Sequence, residues 1–270
     1  MGILSTTLEN ERLRFSPMYR TKNPALNDMV FVFQGMIEEK MTIQGVAEKG
    51  AIAFSLLMIA GLIPWSLALT GNVELALVIM SFGFLLNGIF YLTLLLSWFV
   101  PSIRNLFTSP IFVLGYAISQ GFLLGGSTYF LDAYYPGIAI QAFLITGMIF
   151  GGMLMVYRTG IINVNENFRI ALYSAVFAIM MVYLLTFILG IFGIGIPYIH
   201  GSGPIGIGFS LLVIGLGALM LASDFDYIET GVENGAPKNL EWRAVFGLLV
   251  TLIWIYVEVL RLLMKINNRR

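Results

Sequence analysis

Long apolar runs, separated by short polar connections, set the pattern of this chain. About twenty apolar residues cross a bilayer as a helix. Seven stretches meet or approach that length: Gly50–Leu69, Val73–Val100, Ile111–Phe130, Gly137–Tyr157, Ile170–Phe192, Ile205–Ala222 and Leu240–Met264. The second is overlong and is expected to tilt. The sixth is short by hydropathy, but its helix could run on through Asp224 to Gly231. Connections such as "TGN", "LDAYYP" and "RTGIINVNENFR" are tight, so residues 50–270 are expected to form one helical domain with no soluble module. Residues 1–49 mix acids and bases and lack the pattern of a signal peptide. They are expected to stay attached as a cytosolic or interfacial segment, with Asp28–Lys49 mixed enough for an amphipathic helix along the interface.

Composition supports the membrane reading. Hydrophobic residues make up 58% of the 270 and charged residues only 11%, against about 25% charged in soluble domains. Net charge is zero, which argues against nucleic acid as a partner. The absence of cysteine excludes disulfides, thiolate nucleophiles and zinc–thiolate sites. His200 is the single histidine, so no site can use two.

Basic residues give an orientation. With the N-terminus inside, Arg12, Arg14, Arg20, Lys22, Lys40, Lys49, Arg104, Arg158, Arg169, Lys238 and Arg243 all fall inside. The outer loops before the last span then hold none. Arg261, Lys265, Arg269 and Arg270 fall outside and break the rule. The chain is therefore expected in a cytoplasmic (inner) membrane with its N-terminus in the cytoplasm. Gly121/Gly125 and Gly147/Gly151 form GxxxG pairs in the third and fourth spans, as small surfaces for close helix packing.

Charges within a bilayer are costly and mark a protein interior or a water path. Asn87, Gln120, Ser174, Ser210 and Thr251 are neutral, and most of them are expected to bond between helices. Glu74 and Gln141 lie near span ends and are expected to be solvated. Glu258 sits about 9 Å short of the end of the last span. Arg261 shares its face, as a local pair or as part of an ion path. Asp224 is expected about 10 Å up from the end of the sixth helix, inside the headgroup layer, while Asp226 and Glu229 are expected to be wet.

Several chemistries are ruled out. A retinal protein needs a lysine midway along its last helix, and here only Lys265 lies there, at the end. "HExxH" is absent, as is the "GxGD" of intramembrane aspartyl proteases. The chain is not expected to be an enzyme, and no cofactor is expected.

"NPAL" at 24–27, "MTIQGVAEKGAI" at 41–52, "GYAISQGFLLG" at 115–125 and, most strongly, "DFDYIETGVENGAPKNLEWRAVFGLLVTLIWIYVEVLRLL" at 224–263 resemble the Bax inhibitor family in its bacterial, YccA-like branch. The resemblance covers most of the chain. It implies an all-α membrane fold of seven helices, with two three-helix layers around a central seventh. It also implies a pH-sensitive calcium leak, gated by two aspartates that share a proton, one in the sixth helix and one in the seventh. Asp224 matches the first. The second is unmatched: ungapped alignment on "VLRLL" puts Thr251 there, with Glu258 two turns further on. Asp224 is therefore expected near Thr251 and far from Glu258. Asp224, Thr251, Glu258 and Asp226 are the candidate residues for an ion path and pH sensing, Asp224 and Glu258 for transient cation contact. The expected partners are the lipid bilayer, calcium or protons, and other membrane proteins. The competing reading is a non-conducting, stress-related factor that binds other membrane proteins, such as a membrane protease.

Overall fold

The computed structural model describes residues 39–97, 99–193, 199 and 201–269. Residues Met41–Arg270 form one compact unit. Among the described residues, seven helices are long and apolar enough to span a membrane. They are α1 (Ile43–Leu69), α2 (Val73–Leu96), α3 (Pro110–Tyr134), α4 (Ile138–Arg158), α5 (Glu166–Ile191), α6 (Pro204–Glu233) and α7 (Leu240–Asn267), with a short 3-10 helix, Pro101–Thr108, between α2 and α3. We call the end where α1 starts the basal end and the other the distal end.

Several boundaries differ from the sequence reading. Helix α2 ends at Leu96, so the second span is not overlong. Helix α1 begins at Ile43, not at Gly50. Thr42 accepts a hydrogen bond from the Gly45 N–H at 2.9 Å and so caps the helix. "IQGVAEK" is thus the first two turns of a membrane helix, not part of an interfacial one. Residues 28–38 of the expected interfacial segment, the basic residues at 12, 14, 20 and 22, "NPAL" and His200 lie outside the described residues. Helix α6 runs on through Asp224 as expected and ends at Glu233. Pro204 opens it, where a missing N–H costs nothing.

The helices fall into two groups of three. Helices α1, α2 and α3 pack on one another, and α6 packs against α4 and α5. Helix α7 lies between the groups and touches α1, α3, α4 and α6. No residue from Leu240 to Lys265 is exposed, so the last helix is enclosed as expected. Its basal half, Ala244–Ile253, joins a core with Val46, Ala53, Val113 and Tyr116. Its distal half, Ile255–Leu260, joins a second core with Ile138, Ala142, Leu221 and Phe225. The 3-10 helix docks on α7 by stacking Phe107 on Phe246, ring centres 5.0 Å apart.

Small residues decide which helices touch closely. A side chain on Gly121 or Gly125 would run into the α1 backbone at Leu57 and Gly61. That GxxxG pair is a packing face. Gly147 and Gly151 meet nothing within 4 Å, so among the described residues the second pair packs no helix.

Helix α5 is the opposite case, with little of its surface buried. Polar contacts fasten it. Arg169 pairs with Asp226, the Tyr173 and Ser223 hydroxyls lie 2.9 Å apart, and Tyr183 donates to Glu258 at 3.0 Å. Residues 169, 173 and 183 fall on one helical face.

Candidate functional site

Helices α6 and α7 run antiparallel, and their polar residues recur every seven positions. On α6 these are Ser210, Gly217 and Asp224; on α7 they are Thr251, Glu258 and Lys265. Seven residues are close to two helical turns, so each set shares a face. Both outer pairs are bonded. Thr251 Oγ1 donates to Asp224 Oδ2 at 2.7 Å, and Lys265 Nζ donates to Ser210 Oγ at 2.9 Å. At the middle position α6 has Gly217, which packs against Ile255 and offers no side chain to Glu258.

Asp224 meets Thr251 because both lie at one depth. Nine residues separate Asp224 from the end of α6 and eleven separate Thr251 from the start of α7, giving depths of about 14 and 16 Å. Glu258 is two turns further on and bonds elsewhere, as the ungapped alignment requires. No second carboxylate faces Asp224 from Thr251's position.

The remaining oxygen of Asp224, Oδ1, lies 3.8 Å from where a side chain on Gly247 would begin. Asp224 lines a basal cavity of about 570 Å³ together with Thr251, Ser223, Tyr173, Arg104 and Arg243. Arg104 donates to the Ser97 carbonyl at 2.9 Å. Arg243 forms no ion pair among the described residues. Tyr173 and Ser223 also line a second basal cavity of about 310 Å³ that holds Arg169 and Asp226. Their hydroxyl contact forms part of the wall between the two.

Glu258 is 1% exposed. Its Oε2 accepts from Arg261 at 2.5 Å and from Tyr183 at 3.0 Å. Its Oε1 is buried and has no hydrogen-bond partner among the described residues. The Arg261 guanidinium also lies over the Tyr183 ring, 5.1 Å from its centre. The local Glu–Arg pair of the sequence reading is therefore present, tied to α5.

One expectation needs correction: Asp226 is not simply wet, because it pairs with Arg169 and its side chain is 18% exposed. Glu229 is exposed, as expected, and accepts from Tyr157 at 2.5 Å. Most of the neutral polar residues bond between helices, as Ser210 and Thr251 do. Asn87 does not: among the described residues it donates to Gly83 on its own helix, and its buried Oδ1 has no partner. Gln120, by contrast, donates across to Tyr91 on α2 at 2.9 Å. Ser174 is exposed.

Two buried charges escaped the sequence reading. Glu241, 0% exposed, accepts from the Thr42 N–H at 2.9 Å and its hydroxyl at 3.2 Å, and pairs with Lys49. A side chain on Gly45 would overlap the Glu241 carboxylate. "TIQGVAEK" is thus a socket for the first turn of α7: Thr42 donates, Gly45 makes room and Lys49 neutralises. Lys265 is 5% exposed and donates inward to three oxygens. Its seven-residue register with Glu258 and Thr251 was the available signal. Among the described residues, no three His, Asp or Glu side chains gather as a metal site.

No curated protein and no solved structure matches the chain significantly. A family model does, that of Bax inhibitor 1 like proteins, over residues 12–268. A match running from before α1 through the end of α7 places this multi-pass membrane chain in the Bax inhibitor 1 like family.

Proposed function

We propose that this protein is an acid-responsive cation leak, with calcium among its ions, whose route follows the α6–α7 seam. One observation carries this reading. The Asp224 carboxylate, held by Thr251, lies on the wall of an open basal cavity and at the head of a buried polar line. A carboxylate there attracts cations, and protonating it removes that attraction. Arg104, Arg243, Tyr173 and Tyr227 line the same cavity and set the field it works against. We place the basal end in the cytoplasm of an inner membrane, because the lysines and arginines outside the helix core gather there. The chain is not an enzyme on this reading: its seam acids bond Thr251 and Arg261 rather than each other.

The test is calcium and potassium flux in liposomes of the purified protein, across pH. Flux should change with pH in the parent, and Asp224→Asn should flatten the profile while Asp226→Asn leaves it nearly unchanged. Absence of flux at every pH, or the reverse ranking of the two aspartates, rejects the reading. A second reading, a non-conducting stress factor that binds membrane proteins such as a protease, draws support from Thr251 standing where a second acid is needed. It expects no flux, and a membrane protein co-purifying with the parent.

A further inference from the structure

A lysine in the last turn of a membrane helix ordinarily extends its ammonium to the interface. Lys265 does the reverse. Its side chain turns into the protein and its Nζ donates to Ile199 O at 3.0 Å, Gly206 O at 2.9 Å and Ser210 Oγ at 2.9 Å. An ammonium has three donors, and all three are used. None of the acceptors carries a charge. On its own helix, Arg261 is one turn back and Glu258 two, and the Glu258 oxygen that bonds takes Arg261 and Tyr183 instead. The start of α6 opposes a cation and the end of α7 favours one, so these antiparallel dipoles largely offset each other. Glu258 attracts the ammonium from a distance without bonding it, so the groups in contact with the ammonium are all neutral oxygens.

Carbonyl and hydroxyl oxygens about 3 Å from a desolvated unit charge are the surroundings that suit a weakly hydrated monovalent cation. A divalent ion needs more oxygens at shorter range, usually carboxylates. Ser210 and Lys265 are also the third pair of the seam, on the same helical faces as Asp224 and Thr251. From Thr251 to Lys265 is about 21 Å along α7, so the cage stands near the distal end of that line.

We propose that these three oxygens form a monovalent-cation cage, that Lys265 is its tethered occupant, and that the lysine thereby closes the distal end of the seam. The cage itself stands independently of the leak reading; the closing role rests on it. Two measurements keep them apart. The first is thermal unfolding of the detergent-solubilised protein in methylammonium chloride, potassium chloride or N-methylglucamine chloride. Lys265→Ala should gain several degrees in methylammonium or potassium over N-methylglucamine, and the parent should gain nothing. The second is potassium flux in liposomes, which Lys265→Ala should raise several-fold. Rescue without flux in any variant supports the cage and rejects the leak. Flux in the parent, with neither rescue nor gain in the Ala variant, overturns the proposal. Recovery of folded Lys265→Ala only when potassium or methylammonium is present supports it. If the Ala variant folds in no salt, Lys265→Gln keeps two donors in the cage without the charge; it should raise flux, and parent-like flux overturns the proposal.

Discussion

At the basal end of the α6–α7 seam an acid meets a hydroxyl beside open space; at the distal end a base meets neutral oxygens in a closed interior. The same two helices supply both ends, at the same spacing. Neither end places opposite charges across the helix pair. The acid–base contact of the seam runs along α7 instead, from Arg261 to Glu258. Charge on one side of each contact and a neutral partner on the other leaves each end responsive to what else arrives: water or cations at the basal end, and only what fits three oxygens at the distal end.

The largest effect should come from the socket that seats the start of α7. Glu241→Ala leaves Lys49 without its buried partner and should cost about 3 kcal/mol. Unfolding in detergent checks this, and a loss no larger than that of exposed Glu74→Ala would remove the socket from the account. Next, Thr251→Asp should turn the basal end into two carboxyls at hydrogen-bonding distance, which share a proton. Flux should then acquire a steeper pH dependence that Asp224→Asn abolishes. A profile identical to the parent's would mean that the two side chains do not face each other.

A finer comparison removes one hydroxyl from each end. Ser210→Ala should cost about 1–2 kcal/mol, because it removes one acceptor of the buried Lys265 ammonium. Thr251→Val should cost less than about 1 kcal/mol, because the cavity lets water take the hydroxyl's place at Asp224. Equal costs would show that the two ends are equally dry. The smallest effect belongs to Asp226→Asn, since Arg169 is half-exposed and such pairs contribute about 0–1 kcal/mol. A loss matching that of Glu241→Ala would contradict the ranking by burial.

Depth along a helix was legible in the sequence, because a rise of 1.5 Å per residue needs only a count. It put Asp224 beside Thr251 and kept Glu258 away. Partners that depend on tertiary closure were not legible. Lys49 and Glu241 lie 192 positions apart, and nothing local in "NLEWR" marks its glutamate as buried. Lys265 bonds backbone carbonyls, which every residue owns, so its acceptors leave no trace in residue type. The glycine pairs make the same point. Gly121/Gly125 and Gly147/Gly151 look alike as text, yet only the first meets a helix with a glycine of its own, Gly61. Two of the four basic residues that broke the orientation rule are held by the bundle: Arg261 pairs with Glu258 and Lys265 bonds inward.

The sparse fastening of α5 bears on how the bundle is assembled. This helix combines the highest mean hydropathy of the seven, 2.4, shared with α6, with the smallest buried share. It is stable in lipid alone, so it can insert as a separate helix and join its neighbours late. Packing contributes little to its docking; a few directional bonds do. Two of these grip the basal part of α6 and one grips Glu258 on α7. The seat of α5 therefore depends on single side chains more than that of any other helix, and Tyr183 with Glu258 is the contact that ties it to the central one.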